Sequence, residues 1–137
     1  EKVKIIEADR VVNKVIHSQC VHDFISNRKL IQTNGKTPKE VADHIVSLSG
    51  EIPVHMYYKR FTSAVAYRSP PKMDIYLNRK YFSPAMNVCE WASVLSHEGL
   101  GHALGNYDHS FQYTPDRDFS LPYSLNFAFE ACCDKSK

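Results

Sequence analysis

The segment His97-Glu98-Gly99-Leu100-Gly101-His102 restricts what this chain can fold into more than any other stretch of it. It continues a helical run in which Val88, Trp91, Ala92, Val94 and Leu95 recur at helical spacing. In a regular α-helix of 3.6 residues per turn, residues four apart share a face. His97 and His102 are five apart, a rotation of about 500° that leaves them about 140° out of line. Both can face one point only if the helix takes a local π-type turn, and such turns occur mostly at functional sites. Gly99 and Gly101 fall inside the interval, where they permit a distorted backbone at some cost in helix stability. Two glycines within one helical turn are hard to explain by packing alone.

A further histidine follows at His109, so one glutamate and three histidines lie within thirteen residues. That density argues against ordinary helix histidines. Zinc takes imidazole nitrogens at ~2.0–2.1 Å in a tetrahedral arrangement, which side chains gathered on one face can supply. A glutamate beside the metal can accept a proton from water, whose pKa zinc lowers toward ~7. The segment resembles the metal motif of the zincin metallopeptidases, and His-Glu-x-x-x-His is similar to the spacing in dipeptidyl-peptidase III. The continuation His102-Ala103-Leu104-Gly105-Asn106-Tyr107-Asp108-His109 resembles the metzincin extension His-x-x-Gly-x-x-His. The resemblance implies a Zn2+ site on His97, His102 and a third ligand, with Glu98 as general base. Strict counting from His102 puts the third ligand at Asp108. His109 is preferred, because imidazole is the commoner zinc ligand and a one-residue slip can accompany a π-turn.

The sequence departs from the metzincin pattern in one respect: no methionine follows Met86, so the turn that carries one beneath the metal is missing or replaced. Ser120-Leu121-Pro122-Tyr123 falls at that place, and the resemblance makes Tyr123 the candidate donor to a developing oxyanion. In the glutamate-type zincins a later helix supplies the third ligand, which makes Glu130 a weaker rival. His17, His22, His44 and His55 are dispersed and read as surface or core residues. No Gly-x-Ser-x-Gly elbow is present to support a serine hydrolase.

The rest of the chain sets bounds. Its 137 residues suffice for one core, and 1–137 reads as a single zincin-like domain of the α+β class. A net charge of +2 with scattered basic residues does not indicate nucleic acid, and no apolar run approaches the ~20 residues of a membrane span. Cys20, Cys89, Cys132 and Cys133 allow three two-bridge pairings. Adjacent cysteines rarely bridge each other, so Cys132 or Cys133 with Cys20 or Cys89 is the favoured geometry, four reduced thiols being the alternative. A secreted or periplasmic protein is expected, since the chain begins at Glu1 rather than Met, as after removal of a leader.

Apolar periodicity predicts a helix over 9–27, and Thr37-Pro38-Lys39-Glu40 predicts a capped helix that stops at Gly50. Strands are expected over 52–61, 63–67 and 74–78, giving a small twisted mixed sheet, and a last helix over 125–131. Two N-terminal helices pack on the sheet in this reading, and the strand at 63–67 lies along the cleft to pair with extended substrate. The expected function is hydrolysis of a protein or peptide by a monomeric zinc enzyme. A zincin scaffold that binds without cutting is the alternative, and a metal hydrolase of a non-protein amide is a third.

Overall fold

Ser18 divides what the apolar pattern presents as one helix. Its side chain accepts from the Val21 amide and donates to the Val15 carbonyl, so it closes one helix and caps the next. The result is α1, Lys2–Val15, and α2, Gln19–Ser26, in place of the single helix expected over 9–27. The periodicity conceals the break because both helices bury apolar faces, Val12 and Val15 from one, Val21 and Ile25 from the other, in the same core. Three helices rather than two therefore precede the sheet. The computed structural model describes residues 1–50, 52–61, 65–68, 74–110 and 112–133.

The third helix, α3, spans Pro38–Ser47 and starts as its sequence predicts. Thr37 accepts from the Glu40 amide at 3.2 Å while the Glu40 carboxylate accepts from the Thr37 amide at 3.0 Å. These reciprocal bonds satisfy two of the donors a helix start leaves open, and they hold the Glu40 carboxyl below its ordinary range. α3 ends at Ser47, before the expected stop at Gly50, because Leu48 is already extended.

The sheet is mixed and has the order β1-β3-β2, with β1 at Val54–Tyr57, β2 at Ala66–Arg68 and β3 at Ile75–Asn78. β3 is central, parallel to β1 and antiparallel to β2. β1 and β3 are shorter than their expected runs, β2 ends one residue past its expected end, and residues 63–64 of that expected edge strand lie outside the described residues. β2 runs beside the histidine segment.

Beyond the sheet come α4, Val88–Leu95, a π-helical segment at Ser96–Leu104, a 3₁₀ turn at Pro115–Phe119 and α5, Leu121–Cys132. The last helix begins four residues before the expected 125, because Pro122 occupies its first turn, where a missing amide donor costs nothing. Trp91 is fully buried, edge-on to Phe82, with its indole N–H bonded to the Ser83 carbonyl. α5 packs against α2, α4 and the π segment. Two disulfides hold it there: Cys20–Cys132 ties it to α2, and Cys89–Cys133 ties its end to α4. The neighbouring cysteines thus bridge to different helices, within the favoured pairing, and the reduced alternative is not adopted. Two disulfides fit an oxidising compartment, and among the described residues no helix is long and apolar enough to cross a membrane.

Since Cys20–Cys132 closes a loop of 112 residues, replacing both of its cysteines by serine is expected to cost about 2–5 kcal/mol in denaturant unfolding. A loss below about 0.5 kcal/mol would show that packing alone secures α5.

Candidate metal centre

The π-helical segment brings together residues that an α-helix would separate. Its i→i+5 pattern stacks His102 above His97, with ring centroids 5.0 Å apart. The segment then ends abruptly. The Asn106 amide bonds the His102 carbonyl at 3.0 Å and the Tyr107 amide bonds the Gly101 carbonyl at 2.8 Å. A side chain at Gly105 would collide with the Leu100 carbonyl and, at 2.8 Å, with the Tyr107 ring. Asn106 then takes a left-handed conformation, φ +58°, which asparagine tolerates better than most residues. The reversal returns His109 to the histidine pair, its ring 5.2 Å from His97 and 4.7 Å from His102. The ligand atoms of His97, His102 and His109 all lie within 4.8 Å of one another, a group that could hold a metal ion. Asp108, the rival from strict counting, is exposed and outside this group. Glu130, the other rival, is exposed on α5 and is outside it as well.

Hydrogen bonds fix which nitrogen each histidine presents. The Nδ1 atoms of His102 and His109 lie 2.8 Å from the Tyr107 carbonyl and 3.0 Å from the Ser110 carbonyl. A carbonyl only accepts, so both Nδ1 atoms carry a proton and Nε2 is the nitrogen left to face a metal. His97 Nδ1 lies 2.7 Å from Asn126 Oδ1. The Asn126 amide orientation is set in turn by its NH2 group, which donates to the Ser93 carbonyl and hydroxyl at 3.3 and 2.8 Å. All three rings therefore offer Nε2, each held by a partner behind it, as metal-ligating histidines are. His97 is also kept neutral: burial first, then the neighbouring His102, lowers its pKa from 6.5 to about 3. Three oriented imidazoles in a partly buried group, His97 among them held neutral, fit a metal ion of the borderline-soft kind.

Glu98 is buried at 6% exposure, and its Oε1 lies 3.8 Å from His97 Nε2. With His97 neutral this is a close approach rather than an ion pair. Tyr123 packs edge-on to His97 at 4.7 Å and lies 4.6 Å from His109. Burial raises its phenol pKa, against the nearby Arg117 charge, so the hydroxyl stays a donor.

The two glycines have different reasons. A Cβ at Gly101 would meet Pro122 Cα at 2.9 Å, whereas one at Gly99 would make ordinary contact with Ile52 and Ile75. Neither has a positive φ. Backbone distortion therefore does not explain Gly101; packing does, because only glycine lets the start of α5, and with it Tyr123, lie against the π segment.

The sequence reading missed Asn126 as a partner of His97, although it lies three residues after Tyr123 on the same helix face. It also missed Tyr107, whose carbonyl holds His102 and whose hydroxyl bonds His44 at 2.6 Å. His22 and His55 instead pair with Asp43 and Asp74 at the surface.

If the group holds zinc, Asn126→Ala is expected to weaken its binding about 10–100-fold, read by competition with a chromophoric chelator. An unchanged affinity would mean that His97 needs no support. Gly101→Ala should destabilise the protein by about 1–3 kcal/mol while Gly99→Ala stays within about 1 kcal/mol; equal effects would contradict the packing assignment. For the metal-free protein, His97 has a lowered folded pKa. The unfolded chain takes up this proton near pH 6.5 and the folded chain only near 3, so stability contributed above the first value is lost as pH falls between them. Thermal midpoints at low ionic strength should drop on acidification from about pH 7 to about pH 4, and a flat profile would contradict the buried neutral imidazole.

Compared with models of known protein families, with curated proteins and with solved structures, the chain matches none. The chemistry of the site is read from its own residues.

Proposed function

We propose that this protein is a zinc-dependent peptidase with a zincin-like, metzincin-related site. The observation that carries the reading is the convergence of three oriented imidazoles beside one buried carboxylate. An all-nitrogen set of three ligands that leaves a fourth position open is typical of catalytic rather than structural zinc, which is closed by four protein ligands. Zinc held by His97, His102 and His109 would supply Lewis acidity toward a carbonyl and lower the pKa of water.

The chain's own groups do the rest. Glu98 takes a proton from the attacking water as its oxygen adds to the scissile carbonyl carbon, then returns that proton to the leaving nitrogen as the C–N bond breaks. The products are a carboxylate and an amine. Tyr123 keeps its hydroxyl proton and donates a hydrogen bond to the carbonyl oxygen as negative charge builds there. The edge strand β2, antiparallel at the margin of the sheet and beside the π segment, offers main-chain groups to an extended peptide. The substrate class is a protein or peptide, met by a monomer outside the cytoplasm, in keeping with the two disulfides.

Glu98→Gln is expected to keep stoichiometric zinc while hydrolysis of a quenched-fluorescence peptide library falls about 10²–10⁴-fold. Retained biological activity in that variant would favour a scaffold that binds without cutting. Wild-type protein that cleaves no library member in the presence of zinc would overturn the peptidase reading.

A further inference from the structure

Among the described residues, Arg117 is the arginine with a buried nitrogen that lacks a hydrogen-bond partner. Arg79 forms a two-point pair with the Glu1 carboxylate at 2.7 and 3.0 Å, and Arg28 donates to Ser124 and to the Asp118 carbonyl. Arg117 Nε is buried without a hydrogen-bond partner, and among the described residues no carboxylate pairs with its guanidinium. Two rings hold it in place instead: its Cζ lies 4.6 Å from the Tyr123 ring and 5.2 Å from the Tyr113 ring. Stacking occupies the faces of a guanidinium and leaves its N–H donors, which point in the plane, free to bind. Ser120, three residues on at the end of the same 3₁₀ turn, is fully buried and its hydroxyl also lacks a partner among the described residues. Ser120 itself is extended, φ -67° and ψ 155°, and leads into α5, so its hydroxyl is closed to solvent and takes no part in what Arg117 binds. A guanidinium held by rings rather than by a carboxylate keeps its charge available to an incoming anion.

We propose that the Arg117 guanidinium anchors a carboxylate of the peptide substrate one or two residues from the bond that is cut. The inference rests on the peptidase reading for its substrate but not for its binding chemistry. A planar guanidinium matches a carboxylate with two parallel hydrogen bonds. Position sets the register. Tyr123 touches both Arg117 and the histidines, so the guanidinium lies within roughly 9 Å of the His97 and His109 rings. Extended peptide advances ~3.3–3.6 Å per residue, which places the anchored group one or two residues from the reacting carbonyl. The carboxylate is either the free C-terminus of the substrate, which makes the enzyme trim chain ends, or an Asp or Glu side chain, which makes it select acidic sites.

The test is binding to the metal-free protein by titration calorimetry. Three N-acetylated tetrapeptides of one neutral sequence are compared: one with a free C-terminus, one as the C-terminal amide, and one as the amide with glutamate at the penultimate position. The free acid or the glutamate amide should bind at least about tenfold tighter than the plain amide, and which of the two does so identifies the source. Arg117→Gln should erase the difference and Arg117→Lys retain only part of it, with circular dichroism confirming the fold. The plain amide binding as tightly as both others, or a preference that survives Arg117→Gln, overturns the anchor. Should Arg117→Gln fail to fold, the comparison of the three peptides on the wild type decides alone. A preserved preference without hydrolysis by the zinc-loaded protein would refute the peptidase reading and leave the anchor standing.

Discussion

The π-helical turn at Ser96–Leu104 is the constraint from which the site follows. An α-helix would place His102 about 140° from His97, and no adjustment of two side chains recovers a common ligand point from that angle. The wider turn is unfavourable on its own, so something must hold it. Gly101 and Gly105 permit close approaches that a side chain would block, from Pro122 on one side and from Tyr107 on the other. The segment is thus held between the start of α5 and its own returning chain.

That dependence makes α5 the second essential part. It supplies Tyr123 to the face of the histidine group and Asn126 to the back of His97. Both residues lie on one side of the helix, so a single rigid element positions two groups with different tasks. The disulfides at its far end join it to α2 and α4, and α4 runs directly into the π segment. A closed circuit results: α4 leads to the histidines, the histidines pack on α5, and α5 is bonded back to α4. A chain of this size has a modest core, and such covalent closure stabilises what packing alone holds weakly.

The parts legible in the sequence were those with local physical signatures. The capping box at Thr37–Glu40 is a short-range pattern, and it appears in the structure as read. The five-residue histidine spacing demanded a π-turn, and one is there. The cysteine pattern limited the bridges without choosing between them, because the choice rests on which helix lies beside which end of α5. What was not legible depends on tertiary contact. The break at Ser18 is hidden by apolar faces that share one core. The reason for Gly101 is Pro122, twenty-one positions away in the chain, and no local pattern announces it. Asn126 and Arg117 carry no motif, and their importance comes from where α5 and the 3₁₀ turn place them.

The central claim is that His109, returned by the Gly105–Asn106 reversal, completes a three-histidine group able to hold zinc, with Asp108 exposed outside it. Zinc content and affinity of Asp108→Ala and His109→Ala, measured beside the wild type by mass spectrometry under native conditions and by chelator competition, test it most directly. The account predicts one zinc per chain in the wild type and in Asp108→Ala at similar affinity, and loss of tight binding in His109→Ala. A wild type without stoichiometric zinc, or an Asp108→Ala protein that loses the metal while His109→Ala keeps it, would contradict it.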